Sequence, residues 1–279
     1  MSRALCIYHG IFGRVALLDM DRSLVRHAHP LCHILLKLGG KDTHFIVNER
    51  LVPLNDSAAV LINPWETHAY VHEDNQQNTL ILALYLEPRW LRQNFPHLGN
   101  GLTAHFFPQA SGSVQKPLLG FAHNLVEEML STTRDSLTKN ATLADISSYI
   151  ITHFFYSDVN RLTSGRPLLR QVPDRRIARA LDIIRNNPEK IPDVSALARH
   201  ACLSRAHFFR LFEQETGVTP HIFANAIKIE HAVVKIAESN AGLAQLGVQL
   251  GFQSPSQFSR FFRDHVSIPP REFRARLSA

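Results

Sequence analysis

At 279 residues the chain is long enough for two domains with separate cores, and its 45% hydrophobic and 19% charged residues are globular in proportion. No stretch approaches the roughly 20 uncharged apolar residues that cross a bilayer, the N-terminus lacks a continuous apolar segment with a small-residue cleavage site, and three scattered cysteines exclude a disulfide framework. A cytoplasmic protein with no membrane partner is expected.

From Ile7 to about Leu86, short runs of strand composition (CHILLKL, THFIVN, AAVLIN, HAYVH and TLILALYLE) are separated by Gly, Asn, Asp and Pro. That spacing predicts an all-β barrel or sandwich. Two histidine-bearing stretches stand within it, HAHPLCH at residues 27–33 and NPWETHAYVH at residues 63–72. On a strand, His27 and His29 point to one face and His68 can approach from a neighbouring strand, a candidate three-nitrogen metal site. The second stretch, with Pro64 four residues before His68, resembles the proline-to-histidine turn of cupin barrels. The resemblance implies a cupin-like barrel over residues 1–112. The glutamate that usually follows the paired histidines of cupins is absent, so His29, His33, Trp65, His68 and Tyr70 are read as lining a ligand pocket or satisfying buried hydrogen bonds, with no metal required.

After Pro117 come two helical stretches, LLGFAHNLVEEMLS and LADISSYIITHFFYSDVNRL. Their apolar faces, including Leu118, Phe121, Leu125, Met129, Ile146, Tyr149, Ile150 and Phe154, exceed what the flank of a small barrel needs. This helical segment is placed at residues 113–162, and a loop-like linker at 163–173. Charge is lopsided about that linker. Residues 174–279 hold 15 Lys plus Arg against 10 Asp plus Glu, a net of +5, whereas residues 1–173 hold 15 against 14, a net of +1.

The basic half contains one pattern twice. AHFFRLF, residues 206–212, aligns with SQFSRFF, residues 256–262, so that Phe208, Arg210 and Phe212 fall under Phe258, Arg260 and Phe262. More widely, Leu197 to Pro220 aligns with Leu246 to Pro270, with one residue inserted in the second copy's turn. Each copy reads as short helix, turn, longer helix, stop. Ser204 and Ser254 stand at N-cap positions and Pro255 at a first helical position. A helix anchored by a Phe ridge, with an arginine and small polar residues facing outward, fits a helix-turn-helix reader of base edges. Arginine suits this because its planar fork takes guanine O6 and N7 together. Pairing with Glu213 or Asp264 is the alternative use of the two arginines. Between the copies, residues 220–239 predict one helix roughly 30 Å long. A strut of that length matches one turn of B-DNA, about 34 Å.

The segments LSRAHFFRLFEQETGVTP and GFQSPSQFSRFFRDHVSIPPREFR resemble the paired signature of AraC/XylS-type bacterial transcription regulators. The resemblance implies a seven-helix, double helix-turn-helix DNA-binding domain at residues 174–279. Carried over residue by residue, it implies DNA contacts from Arg205, Ala206, Phe209 and Arg210 in the first unit and from Ser256, Gln257 and Arg260 in the second. It also implies that the barrel is a small-molecule effector domain and that the helical pair is a homodimer surface, through Phe121, Leu125, Met129, Ile146, Tyr149, Ile150 and Phe154. The partners are then promoter DNA, an effector and RNA polymerase. Two departures stand out. Lys228 replaces a frequent arginine, and Leu246 and Gly247 replace an isoleucine-alanine pair, so the second unit is expected to be the less rigid, glycine costing about 1 kcal/mol against alanine in a helix. A metal-dependent cupin enzyme fused to the same module, and a constitutive DNA binder whose barrel only dimerises, are the competing readings.

Overall fold

The computed structural model describes residues 2–73, 77–95, 106–131, 136–155 and 174–278. The linker at 163–173 and the last residues of the helical segment lie outside them.

The N-terminal strands are β1 (Arg3–Gly10), β2 (Gly13–Met20), β3 (Cys32–Gly40), β4 (Thr43–Val47), β5 (Arg50–Leu54), β6 (Ala58–Ile62), β7 (His68–Val71), β8 (Thr79–Leu86) and β9 (Ser111–Ser113). Together with β10 (Leu277–Ser278) they form two sheets, one of seven strands in the order β10-β1-β2-β8-β3-β6-β9 and one of three in the order β5-β4-β7. Among the described residues the strands do not close into a ring; of the expected barrel or sandwich, the β-rich domain is present as two sheets. The seventh strand of the large sheet, β10 (Leu277–Ser278), comes from the end of the chain and runs parallel to β1.

The large sheet is covered on both faces, which explains why its strands read as continuous apolar runs. Along β8, Ile81, Ala83 and Tyr85 enter one core while Leu82, Leu84 and Leu86 enter the other. The second of these cores is completed by α1 (Pro88–Asn94), α2 (Lys116–Leu130) and α3 (Ser136–Ile150), which passes into a π-helical turn at Ile151–Phe155. Five residues assigned to dimerisation, Leu125, Met129, Ile146, Ile150 and Phe154, are buried in that core within the chain. Phe121 and Tyr149 are only partly buried at its margin.

The C-terminal domain has seven helices: α4 (Arg175–Asn186), α5 (Val194–His200), α6 (Arg205–Thr216), α7 (Pro220–Glu238), α8 (Leu243–Gln249), α9 (Pro255–Val266) and α10 (Pro270–Ala275). Its two halves are packed differently. Helices α4 to α6 and the start of α7 close one core around Phe208, Phe212 and Phe223, which Ala28 of the N-terminal domain joins. The second half, from Ile229 through Phe273, shares one continuous core with the inner faces of the two sheets.

Candidate nucleic-acid interface and histidine cluster

The two helix-turn-helix units, α5–α6 and α8–α9, match in backbone detail. In the first turn Cys202 takes a left-handed φ of 54°, and in the second Gly251 takes one of 83°. The Leu203 amide donates to the Ala198 carbonyl and the Phe252 amide to the Gly247 carbonyl, each at 3.0 Å. The Ser204 hydroxyl then accepts from the His207 amide at 3.3 Å, and that of Ser254 from the Gln257 amide at 3.2 Å, starting both longer helices. Left-handed residues Gly217 and Ser267 end them. The 19-residue strut α7 is about 28 Å long.

Each longer helix buries two phenylalanines, Phe208 and Phe212 or Phe258 and Phe262, and turns its other side out. Arg205, Ala206, Phe209 and Arg210 are exposed on α6, and Ser256, Gln257 and Arg260 on α9. Among the described residues neither Arg210 nor Arg260 forms a salt bridge, and Asp264 instead approaches Arg263 at 3.8 Å. Phe209 is 37% exposed and lies outside the core. Gly247 is buried, and a Cβ there would meet the Phe258 Cβ at 3.0 Å. The glycine is therefore a close-packing device between α8 and α9, not the source of looseness that its helix propensity suggests.

The second cluster lies in the N-terminal domain. His27 and His29 are not on a strand as expected. They occupy the loop between β2 and β3, where Pro30 and the polar residues before it break strand pairing, and an isolated bridge joins His27 to His68 at the start of β7. The outcome still brings His27, His29 and His68 together, with one ring nitrogen from each within 4.8 Å of the others. His33, on β3, stands beside them with its Nδ1 3.2 Å from His29 Nε2 and its ring stacked on Tyr85 at 3.9 Å. All four imidazoles are buried. Burial first, and then repulsion from neighbouring imidazoles, holds the pKa of His27, His29 and His33 well below the usual value, and burial lowers that of His68 to about 4. The rings are neutral at neutral pH.

The other assigned pocket residues go elsewhere. Trp65, in a left-handed conformation with φ 67°, stacks on Phe223 of α7 with centroids 4.3 Å apart and planes 11° apart. Tyr70 is buried against Phe45 with centroids 5.3 Å apart. Between the large sheet and the second half of the C-terminal domain, a cavity lined by Arg14, Tyr85, Ile268 and Phe273 holds only about 10 Å³. That is room for about one water, against the roughly 300 Å³ and upward of an organic ligand site.

Contacts that the sequence did not suggest join the two domains. Arg14, 6% exposed, donates to both oxygens of Glu230 at 3.2 and 3.1 Å and lies 3.9 Å over the Tyr85 ring. The Ala4 amide donates to Glu272 Oε1 at 3.0 Å, and the Ile7 amide to the Arg276 carbonyl at 2.8 Å. His265 on the inner side of α9 comes within 6.2 Å of His27, ring to ring. Such pairs join residues more than 200 positions apart and leave no local period in the sequence.

The helix-turn-helix domain family matches residues 197–276. The chain is similar to the probable transcriptional regulator LumQ of Photobacterium leiognathi, 24% identical over 91% of this chain and 93% of that one. It is also similar to an HTH-type transcriptional regulator of Haemophilus influenzae, 25% identical over 56% of this chain and 53% of the relative, and to the arabinose operon regulatory protein of Escherichia coli, 28% identical over 42% and 40%. The chain thus spans about half or less of the length of several of the curated relatives it matches. Among solved structures, an apo point variant of ToxT from Vibrio cholerae superposes with a TM-score of 0.62 over 97% of this chain and 99% of that one, at 13% identity. A β-rich N-terminal domain followed by a helical helix-turn-helix domain is the shared fold.

Proposed function

We propose that this chain, a transcription regulator of the AraC type, reads promoter DNA with α6 and α9 in successive major grooves while its N-terminal domain takes a small effector. One observation carries the DNA half of the reading. Two reading helices with the same caps and turns, each presenting an arginine free of salt bridges among the described residues, are spaced by a strut of about 28 Å, close to one turn of B-DNA. A net charge of +5 on residues 174–279 favours the phosphate backbone. Arg205, Ala206, Phe209 and Arg210 face one half-site, with Phe209 suited to a thymine methyl, and Ser256, Gln257 and Arg260 face the other.

The effector half is supported by the coupling of the domains through one continuous core. ToxT of Vibrio cholerae has been solved with an unsaturated fatty acid bound. An effector can act here only by binding two domain arrangements with different affinity. For a homodimer we favour the outer side of α2 and α3, where Phe121 and Tyr149 remain partly exposed and Leu130 is exposed.

The test is site selection from randomised DNA followed by affinity measurements on single-base variants. Arg210→Ala and Arg260→Ala should each flatten preference at a separate position, about one helical turn apart, by about 1–3 kcal/mol. Equal weakening on every sequence would remove the base-reading role.

A further inference from the structure

The histidine cluster has a feature that neither a packed core nor an organic pocket explains. His27 Nδ1 lies 2.8 Å from the Val25 carbonyl, His29 Nδ1 3.1 Å from that of Leu31, and His68 Nδ1 2.9 Å from that of Glu66. A carbonyl only accepts, so each Nδ1 carries the ring's proton and each Nε2 presents a lone pair. The three rings share one buried space, with a ring nitrogen of each within 4.8 Å of the others. His33 can meet one of them, donating from Nδ1 to His29 Nε2. His68 Nε2 and His33 Nε2 are buried with no hydrogen-bond partner. Orphaned acceptors of this kind are costly in a low-dielectric interior. The backbone-anchored Nδ1 is also the arrangement that fixes imidazole ligands toward a metal ion.

We propose that His27, His29 and His68 bind one divalent transition-metal ion through Nε2, and that this ion is the effector of the N-terminal domain. The ligand set names the class. Three neutral imidazoles without a carboxylate suit zinc, nickel, cobalt or copper and give magnesium, calcium or manganese little. Size agrees, because a bare ion needs no cavity of the kind an organic effector fills. A tetrahedral site with bonds of about 2.0–2.1 Å sets its nitrogens roughly 3.3 Å apart. From a spread of up to 4.8 Å the rings must draw together, and His33 must release His29. The Arg14 guanidinium opposes an added cation, but its charge is matched by Glu230.

The effector half of the proposal rests on the regulator reading. Drawing the rings together moves parts that touch both DNA-binding units. The Trp65 amide donates to the His29 carbonyl at 2.9 Å, and the Trp65 ring stacks on the strut α7. Ala28, between the two loop histidines, lies in the core of the first unit. His27 faces His265 on the back of the second reading helix.

The experiment uses the full chain without a polyhistidine tag, stripped with a chelator and titrated with Co²⁺ and Zn²⁺. One ion per chain is expected, with the visible absorption bands of tetrahedral Co²⁺ and a change in Trp65 fluorescence in a Trp90→Phe background. Affinity should fall at least 100-fold in His29→Ala and in His68→Ala, and stay unchanged in His123→Ala, which alters an exposed histidine. Affinity for the selected DNA should change five-fold or more between stripped and loaded protein. Failure of the wild-type chain to take up one ion overturns the site, whatever becomes of the variants. Undiminished uptake in the His29→Ala, His68→Ala double variant also overturns it. Stoichiometric uptake with unmoved DNA affinity overturns the effector half and leaves the regulator reading standing. Absence of DNA binding in both states removes the regulator reading and the effector half together, while the uptake measurement still decides the site.

Discussion

The two helix-turn-helix units are near copies in backbone and opposites in packing. The first closes its core among α4, α5, α6 and the start of α7, and meets the N-terminal domain through little more than Ala28 and Trp65. The second has no core of its own, because Phe258 and Phe262 pack in one body with Leu18, Ile81 and Tyr85 of the sheet. The repeat therefore gives two helix-turn-helix units with different attachments. The core of the first is nearly independent of the sheets, whereas the core of the second is continuous with theirs. The N-terminal domain thus touches the second unit through a shared core and the first through a stacked ring and a loop.

The largest expected effect separates these attachments. Phe212→Ala and Phe262→Ala should each cost about 3–5 kcal/mol. Only Phe262→Ala should lower the unfolding midpoint reported by Trp90, which packs near Phe12 on the far side of the sheet domain. Equal shifts of the Trp90 signal in both variants would mean that the two units are equally tied to the sheets. Next in size is Glu230→Ala, which strands a buried Arg14 and should cost about 3 kcal/mol by urea unfolding. It should also raise proteolysis at the domain junction. Smallest is an exchange of the paired helix positions. Gly247→Ala forces a methyl to 3.0 Å from Phe258 and should destabilise by about 1 kcal/mol, the crowding outweighing the gain in helix propensity. Ala198→Gly in the first unit should cost about 1 kcal/mol by propensity and somewhat more by loss of a buried methyl. A stabilised Gly247→Ala protein would restore the reading of α8 as a loose helix.

Features carried by local chemistry could be read from the chain itself. The caps at Ser204 and Ser254, the proline starts and the repeated phenylalanine ridge specify short-range geometry, and α5 to α9 fall where these signals place them. Composition found β3, β4, β6, β7 and β8 but did not single out β1, β2 or β5, and the division into two sheets depends on pairing between distant strands and has no local mark. The histidines show both sides of this. Their types and count were plain, yet their meeting depends on one isolated bridge from a loop to β7, not on the strand period that suggested it. Gly247 carries the same lesson, since propensity registers its missing methyl and not the ring that occupies the space.

The pairing of β10 with β1 has a consequence for any excursion in which the C-terminal domain leaves the sheets. Leu277 and Ser278 cover the outer side of β1, and their departure leaves part of an eight-residue strand with unpaired amides and carbonyls at a sheet margin. Such a margin is a template for another strand, including one from a second copy of the chain. With β10 in place that margin of β1 is closed to strand exchange at Ile7 and Tyr8.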